Sequence, residues 1–142
     1  MDKNIIEILN KKFGFDNLIS LATSDNDTPF VRTVNSYYED GAFYTVTHAL
    51  TKKMKQIEKN PKVAICSNEW FCAHGLGENI GHICDEKNAE LASKLRAVFA
   101  EWYDNGHTNE KDPDTCILKI KLTDAVLYSD GKRYDINFNS DN

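Results

Sequence analysis

Residues 43–63, F-Y-T-V-T-H-A-L-T-K-K-M-K-Q-I-E-K-N-P-K-V, hold the one local arrangement in this chain that helix formation alone disfavours. Phe43 to Thr47 read as a short strand, His48 to Leu50 turn the chain, and a helix begins near Thr51. The helix stops at Asn60-Pro61, because proline disfavours helical geometry in the residue before it. Lys52, Lys53 and Lys55 crowd its first turn, where unpaired N–H groups already carry partial positive charge and acidic residues are preferred. Each lysine there costs roughly a few tenths of a kcal/mol unless an anion is present. A phosphate held by the free amides, the Thr51 hydroxyl and a lysine ammonium turns that cost into a binding site. The plainer reading is a solvated, lysine-rich helix.

Upstream, Ile5, Ile6, Leu9 and Phe13 recur at helical spacing over residues 2–13, with Gly14 placed to end an amphipathic capping helix. Residues 17–23 and 30–37 are β-rich runs separated by S-D-N-D-T-P, and Glu39-Asp40-Gly41 turns the chain into residues 42–47. Together they predict a three-stranded antiparallel meander. Downstream, residues 62–68 read as a strand, a bend falls near Asn68, strand continues over 69–77, and the glycine-containing segment 75–81 reads as loose. Residues 88–103 give the strongest helix, with Leu91, Leu95, Val98, Phe99 and Trp102 on one face and Gly106 beyond its end. In residues 115–127, Cys116, Leu118, Ile120 and Leu122 face one way and Ile117, Lys119 and Lys121 the other. Asp130-Gly131 turns into a last strand, residues 133–138. The sum is a mainly β fold with inserted helices. Six to seven mostly sequential antiparallel strands in one domain, residues 1–142, favour a barrel, since closure removes exposed edges.

The chain has 142 residues, 41% of them hydrophobic and 27% charged, which suits one folded domain and excludes disorder and fibrous repeats. Its net charge of -5 supplies no global field for nucleic acid or an anionic membrane, so any anion site must be local. The first residues, M-D-K-N-I-I-E-I-L-N-K-K, carry charges among their apolar positions and read as neither a signal peptide nor a spanning helix. A cytoplasmic protein is expected, with Cys66, Cys72, Cys84 and Cys116 reduced and packed as small buried apolar residues.

Arg32 shares a strand face with Phe30 and Val34. A charge on an apolar face snorkels to solvent, pairs with an acidic residue, or joins the lysines of the helix at a common anion. A strand arginine, a Tyr44-Thr45 strand end and a Thr51-Lys52-Lys53 helix start, in that order, resemble the pyridoxamine 5'-phosphate oxidase-like flavoproteins with an FMN-binding split barrel, especially the small general-stress-protein members. The resemblance runs from about Asn17 to Ile136. It includes L-I-S-L-A-T, Val31-Arg32-Thr33-Val34, Gln56-Ile57, Asn60-Pro61-Lys62-Val63 and Tyr128-Ser129-Asp130-Gly131. Carried over by position, it implies Arg32, Thr51 and Lys53 at the FMN phosphate, with Lys52 and Gln56 beside them. It implies Thr33, Val34, Tyr44 and Thr45 nearer the sugar chain and ring. It also implies a homodimer with the flavin at the interface, and either a flavin-dependent oxidoreductase acting on a small molecule or a non-enzymatic carrier, sensor or cofactor-free module. An Arg-Leu-x-Pro ending, associated with true pyridoxamine phosphate oxidases, is absent, so oxidation of vitamin B6 is not implied.

Cys72-Ala73-His74 and His82-Ile83-Cys84 offer two thiolates and two imidazoles, a donor set that suits tetrahedral zinc. The spacing is not that of a standard finger, and strand alternation by itself puts Cys72 and His74 on one face. Core or interface positions are the expectation for these four and for Trp70, Phe71, Trp102 and Tyr103. No serine or cysteine sits in a nucleophile elbow.

Overall fold

A computed structural model describes residues 1–139. Helix α1 (Lys3–Phe13) starts on Asp2, whose carboxylate accepts the Asn4 N–H at 2.7 Å. It is followed by strands β1 (Asn17–Asp25), β2 (Thr28–Glu39) and β3 (Ala42–His48), helix α2 (Lys52–Lys59), and strands β4 (Lys62–Ser67) and β5 (Phe71–His82). A single 3₁₀ turn leads into α3 (Ala89–Val98) and the short α4 (Ala100–Trp102), and then come β6 (Thr115–Ser129) and β7 (Lys132–Asn137). Tight turns carry the hairpins. Asp40 and Gly41 both take positive φ, as do Asp130 and Gly131, the conformation two-residue antiparallel turns require.

The strands run in the order β3-β2-β1-β4-β5-β6-β7, and β3 also pairs with β6. That last pairing closes six antiparallel strands into a barrel and leaves β7 as an extra strand on β6, the architecture the sequence predicts. Alternate residues fill the interior: Ile19 and Leu21 of β1, Phe43 of β3, Ile65 of β4, and Leu118, Ile120 and Leu122 of β6 are all buried. Leu9 and Phe13 of α1 join this core, with the Phe13 ring 5.5 Å from Phe43 and 5.0 Å from Phe71. Met54 and Ile57 of α2 belong to the same core and pack against β1 and β5. A second cluster covers the outside of the wall, where Leu95 and Phe99 bury Ile117 together with Tyr37, Tyr44 and Val46.

Two expectations are corrected. Residues 75–81 are not loose: β5 is a twelve-residue strand paired to β6 from Phe71↔Leu127 to His82↔Cys116, with two irregularities in register. Its glycines answer to crowding rather than to flexibility. A Cβ on Gly75 would lie 2.9 Å from the Lys121 carbonyl, and one on Gly77 would lie 3.0 Å from the Ile57 side chain of α2. The helix expected over 88–103 is likewise broken. Phe99 leaves helical geometry at φ -94°, ψ 15°, which keeps its own ring buried and lets the Trp102 indole N–H reach the Asp16 carboxylate at 3.0 Å.

The feature that positions the site is a local failure of closure. β2 and β3 pair only at Tyr37↔Tyr44, Tyr38↔Phe43 and Glu39↔Ala42. Beyond those three pairs β2 stays with β1 and β3 stays with β6, so the barrel wall splits.

Candidate anion and cofactor site in the barrel split

The split is a cleft of about 310 Å³ lined by Val34, Asn35, Thr45, Val46, Thr47, Lys53 and Trp102. Both strands reach it with ladder edges that no neighbouring strand uses there, so backbone N–H and C=O groups face the space along with side chains.

At its cationic end, Arg32 of β2 and Lys53 of α2 approach each other. The Arg32 guanidinium donates to the Thr23 hydroxyl at 2.7 Å and the Leu21 carbonyl at 3.2 Å from Nη1, and to Gln56 Oε1 at 3.4 Å from Nη2. The Thr23 hydroxyl in turn donates to Gln56 Oε1. All of these partners are neutral. Among the described residues no acidic group forms an ion pair with Arg32 or Lys53. Burial lowers the Lys53 ammonium from its ordinary value, and the nearby Arg32 charge lowers it further. Burial also lowers Arg32. Two cations held together without an anion are uphill by Coulomb repulsion and by desolvation alike.

The start of α2 adds a third positive element. Thr51 is the N-cap residue, yet its hydroxyl donates to the His48 carbonyl at 2.9 Å and caps nothing in the helix. The first N–H to find a helical acceptor is that of Lys55, on the Thr51 carbonyl at 3.1 Å. No acidic side chain occupies the first turn. The amides of Lys52, Lys53 and Met54 thus remain as donors at the positive end of the helix dipole.

The nine residues implied at the cofactor do not all converge. Val34, Thr45 and Lys53 line the cleft, and Arg32 stands beside Lys53. Gln56 is buried and serves as the acceptor that fixes Arg32. Lys52 lies over the Phe30 ring at 5.2 Å and lines a neighbouring groove of about 390 Å³ with Lys55 and Lys59. Thr51 borders a third recess, which shares Val46 and Thr47 with the cleft. Tyr44 packs under α3, and Thr33 is exposed, so its side chain lies outside the cleft lining.

Sequence reasoning missed three contributors. Thr23 holds Arg32, and Asp16 joins Asn35 to Trp102 by accepting the Asn35 amide at 2.9 Å and the Trp102 indole at 3.0 Å. Trp102, expected in a core or interface, lines the cleft. These links are between residues up to eighty-six apart in sequence, and no local pattern marks them.

The four possible zinc donors stay apart, and the burial expected of the cysteines holds for Cys116 alone. Cys66, Cys72 and Cys84 are exposed, because strand alternation turns Cys66 and Cys72 outward and Cys84 lies just past the end of β5. Cys72 and His74 sit on the outer face of β5, and His74 pairs with Asp124 at 2.9 Å. His82 ends the same strand eight residues beyond His74 and bonds the Asp112 carbonyl, while Cys84 donates to Glu110. A different trio, His48, Asp112 and Asp114, comes within 4.8 Å. His48 has no nitrogen free for an ion: Nδ1 accepts the Leu50 N–H at 3.2 Å, so Nε2 carries the proton given to Asp112 at 3.0 Å. The trio fastens the loop before β6.

A closed antiparallel barrel split between its second and third strands, with an anion-ready helix start at the opening, defines the split-barrel class. The chain belongs to the pyridoxamine 5'-phosphate oxidase family, whose sequence profile matches residues 7–128. It is 28% identical over 123 residues to general stress protein 26 of Bacillus subtilis, a match covering 83% of this chain and 84% of that one. The structure of general stress protein 26 from Bacillus anthracis superposes with a TM-score of 0.68 at 18% identity, covering 94% of this chain and 99% of that one. An FAD-binding protein from Mesorhizobium loti superposes with a TM-score of 0.65 at 14% identity, covering 86% and 87%. Among the described residues no helix is long and apolar enough to cross a membrane.

Proposed function

We propose that this chain binds FMN in the barrel split and works as a flavin-dependent oxidoreductase on a small molecule, as a cytoplasmic homodimer. The observation that carries this reading is the convergence of Arg32, Lys53 and the unfilled start of α2, two cations and a set of free amides with no acid among them. A phosphomonoester satisfies all three at once. The adjoining cleft then receives the rest of the ligand: Thr45 and Thr47 offer hydroxyls to a sugar chain, Val34 and Val46 offer apolar contact to a ring, and Trp102 offers an aromatic face. FMN held there by Arg32 and Lys53 would supply two-electron redox chemistry at its ring. The protein's part is to hold the phosphate with Arg32 and Lys53, to fix Arg32 through Thr23 and Gln56, and to fix the Trp102 wall through Asp16. In the proposed dimer a second copy of the chain would lie over the cleft and exclude water from the ring. The family and the resemblance to the FAD-binding protein support a flavin, and the pairing of Arg32 with Lys53 at the start of α2 supports one that ends in a phosphomonoester.

The test is to incubate purified protein with FMN, desalt it, and record the spectrum and elution volume. The expected result is a yellow dimer carrying one flavin per protomer that NADH or NADPH bleaches and an added acceptor restores. Flavin that passes through the column free of folded protein overturns the reading. Flavin that stays bound without turnover assigns the chain to carriers instead.

A further inference from the structure

Strands β4 and β5 set Cys66 and Cys72 directly opposite one another. Their neighbours in register, Ile65↔Ala73 and Ser67↔Phe71, alternate with them, and Ile65, Ala73 and Phe71 are buried in the barrel. Cys66 and Cys72 therefore point outward, and both are exposed. They border a shallow, mostly apolar groove of about 310 Å³ formed with Ala22, Val31, Ala64 and Val126, with His74 and Asp124 also on its lining. The remaining thiols are placed differently. Cys116 lies in the core, where burial pushes it up to about 11, and Cys84 is engaged with Glu110 and Arg96.

We propose that Cys66 and Cys72 are a redox pair that closes reversibly to an intrachain disulfide when the protein meets a hydroperoxide. One thiolate attacks the peroxide oxygen, the O–O bond breaks, and a sulfenic acid forms as water or alcohol leaves. The opposed thiol then attacks that sulfur and expels a second water. Two thiols lose two hydrogens and two electrons, and the peroxide takes them up. The thiols need no search to meet. Burial first, and then a hydrogen bond with the opposed Cys66 thiol, raise Cys72 above its ordinary value, the second of these showing how near the two sulfurs lie.

Directly opposed residues on antiparallel strands have Cβ atoms about 4.5–5.5 Å apart, whereas a disulfide prefers about 3.5–4.5 Å. Closing the bond pulls the two strands together next to their hairpin turn, where Trp70 already takes φ +59°. A bridge formed under that strain is readily reduced, as regulatory disulfides are and structural ones are not.

The test uses the intact native protein. It is treated with one equivalent of hydrogen peroxide, alkylated, and read by intact mass and peptide mapping. The expected product has lost two hydrogens, carries a Cys66–Cys72 peptide link, migrates as a single chain without reductant, and regains both thiols with dithiothreitol. Cys66→Ser and Cys72→Ser each abolish the link, and Cys84→Ser leaves it. Oxygen added to one cysteine without a link, a link between two chains, or thiols that stay unreactive in the folded protein each overturn the proposal.

Discussion

Burial and the neighbouring Arg32 guanidinium both press the Lys53 ammonium toward its neutral form. A lysine whose folded value lies below its ordinary 10.5 destabilises the empty protein at neutral pH. That penalty fades as pH rises from the lowered value toward 10.5, the opposite of a lysine that has gained a partner. Lys53→Met is thus expected to raise the Tm of the flavin-free protein at neutral pH while erasing most of the Tm gain on adding FMN, both read in one thermal-shift series. Arg32→Ala is expected to weaken FMN by about 10- to 100-fold, the range for losing a charge-assisted contact to phosphate. Arg32→Lys recovers only part of this, because an ammonium cannot reach Thr23, Leu21 and Gln56 together as the guanidinium fork does. Lys53 and Arg32 were legible in sequence because a helix start rich in lysine and a charge on an apolar strand face each break a local rule. Thr23, Asp16 and Trp102 break none; their roles arise only when the barrel brings distant strands and helices together.

At the scale of elements, α2 is as well placed as the surface beneath it allows. Gly77 gives Ile57 room to sit against β5, and Gly77→Val drives a side chain into it. The expected cost is about 1–3 kcal/mol in denaturant unfolding, with weaker FMN binding because the phosphate helix is displaced. The same glycines misled the reading of residues 75–81, since a strand that trades side chains for close approach looks like a loop in composition. The break after α3 was equally hidden. It is secured by Arg96, whose guanidinium grips Glu110 at 2.8 and 3.0 Å, and by the Tyr103 hydroxyl, which donates to Glu110 at 2.7 Å. These bonds hold the Glu110 carboxyl down at about 2, chiefly through Arg96. Its contribution is present above the ordinary value of 4.5 and is lost as pH falls from there toward 2. Glu110→Gln is expected to lower stability at neutral pH and to flatten the acid limb of the stability curve across that window, as followed by denaturant midpoints.

For the whole molecule, the meander, the lysine helix and the alternation of β6 already implied a barrel, because each follows from short-range periodicity. The split was implied only by the family resemblance, since its position depends on where β2 and β3 stop pairing, a matter of register between strands that no local pattern carries. That incomplete closure lets a stable barrel keep an internal surface open to a ligand. Ligand binding then adds to folding stability by mass action. FMN at a hundredfold excess over its Kd is expected to raise the Tm by about 5–10 °C.

The most direct measurement is an equilibrium titration of FMN into the flavin-free protein, followed by the visible flavin spectrum, with the Arg32→Ala/Lys53→Ala variant titrated alongside. Saturation at one flavin per protomer, with affinity lost in the folded double variant, is the predicted result. No saturable binding to the folded wild-type chain, or the same affinity in both proteins, contradicts a flavin phosphate held by Arg32, Lys53 and the start of α2.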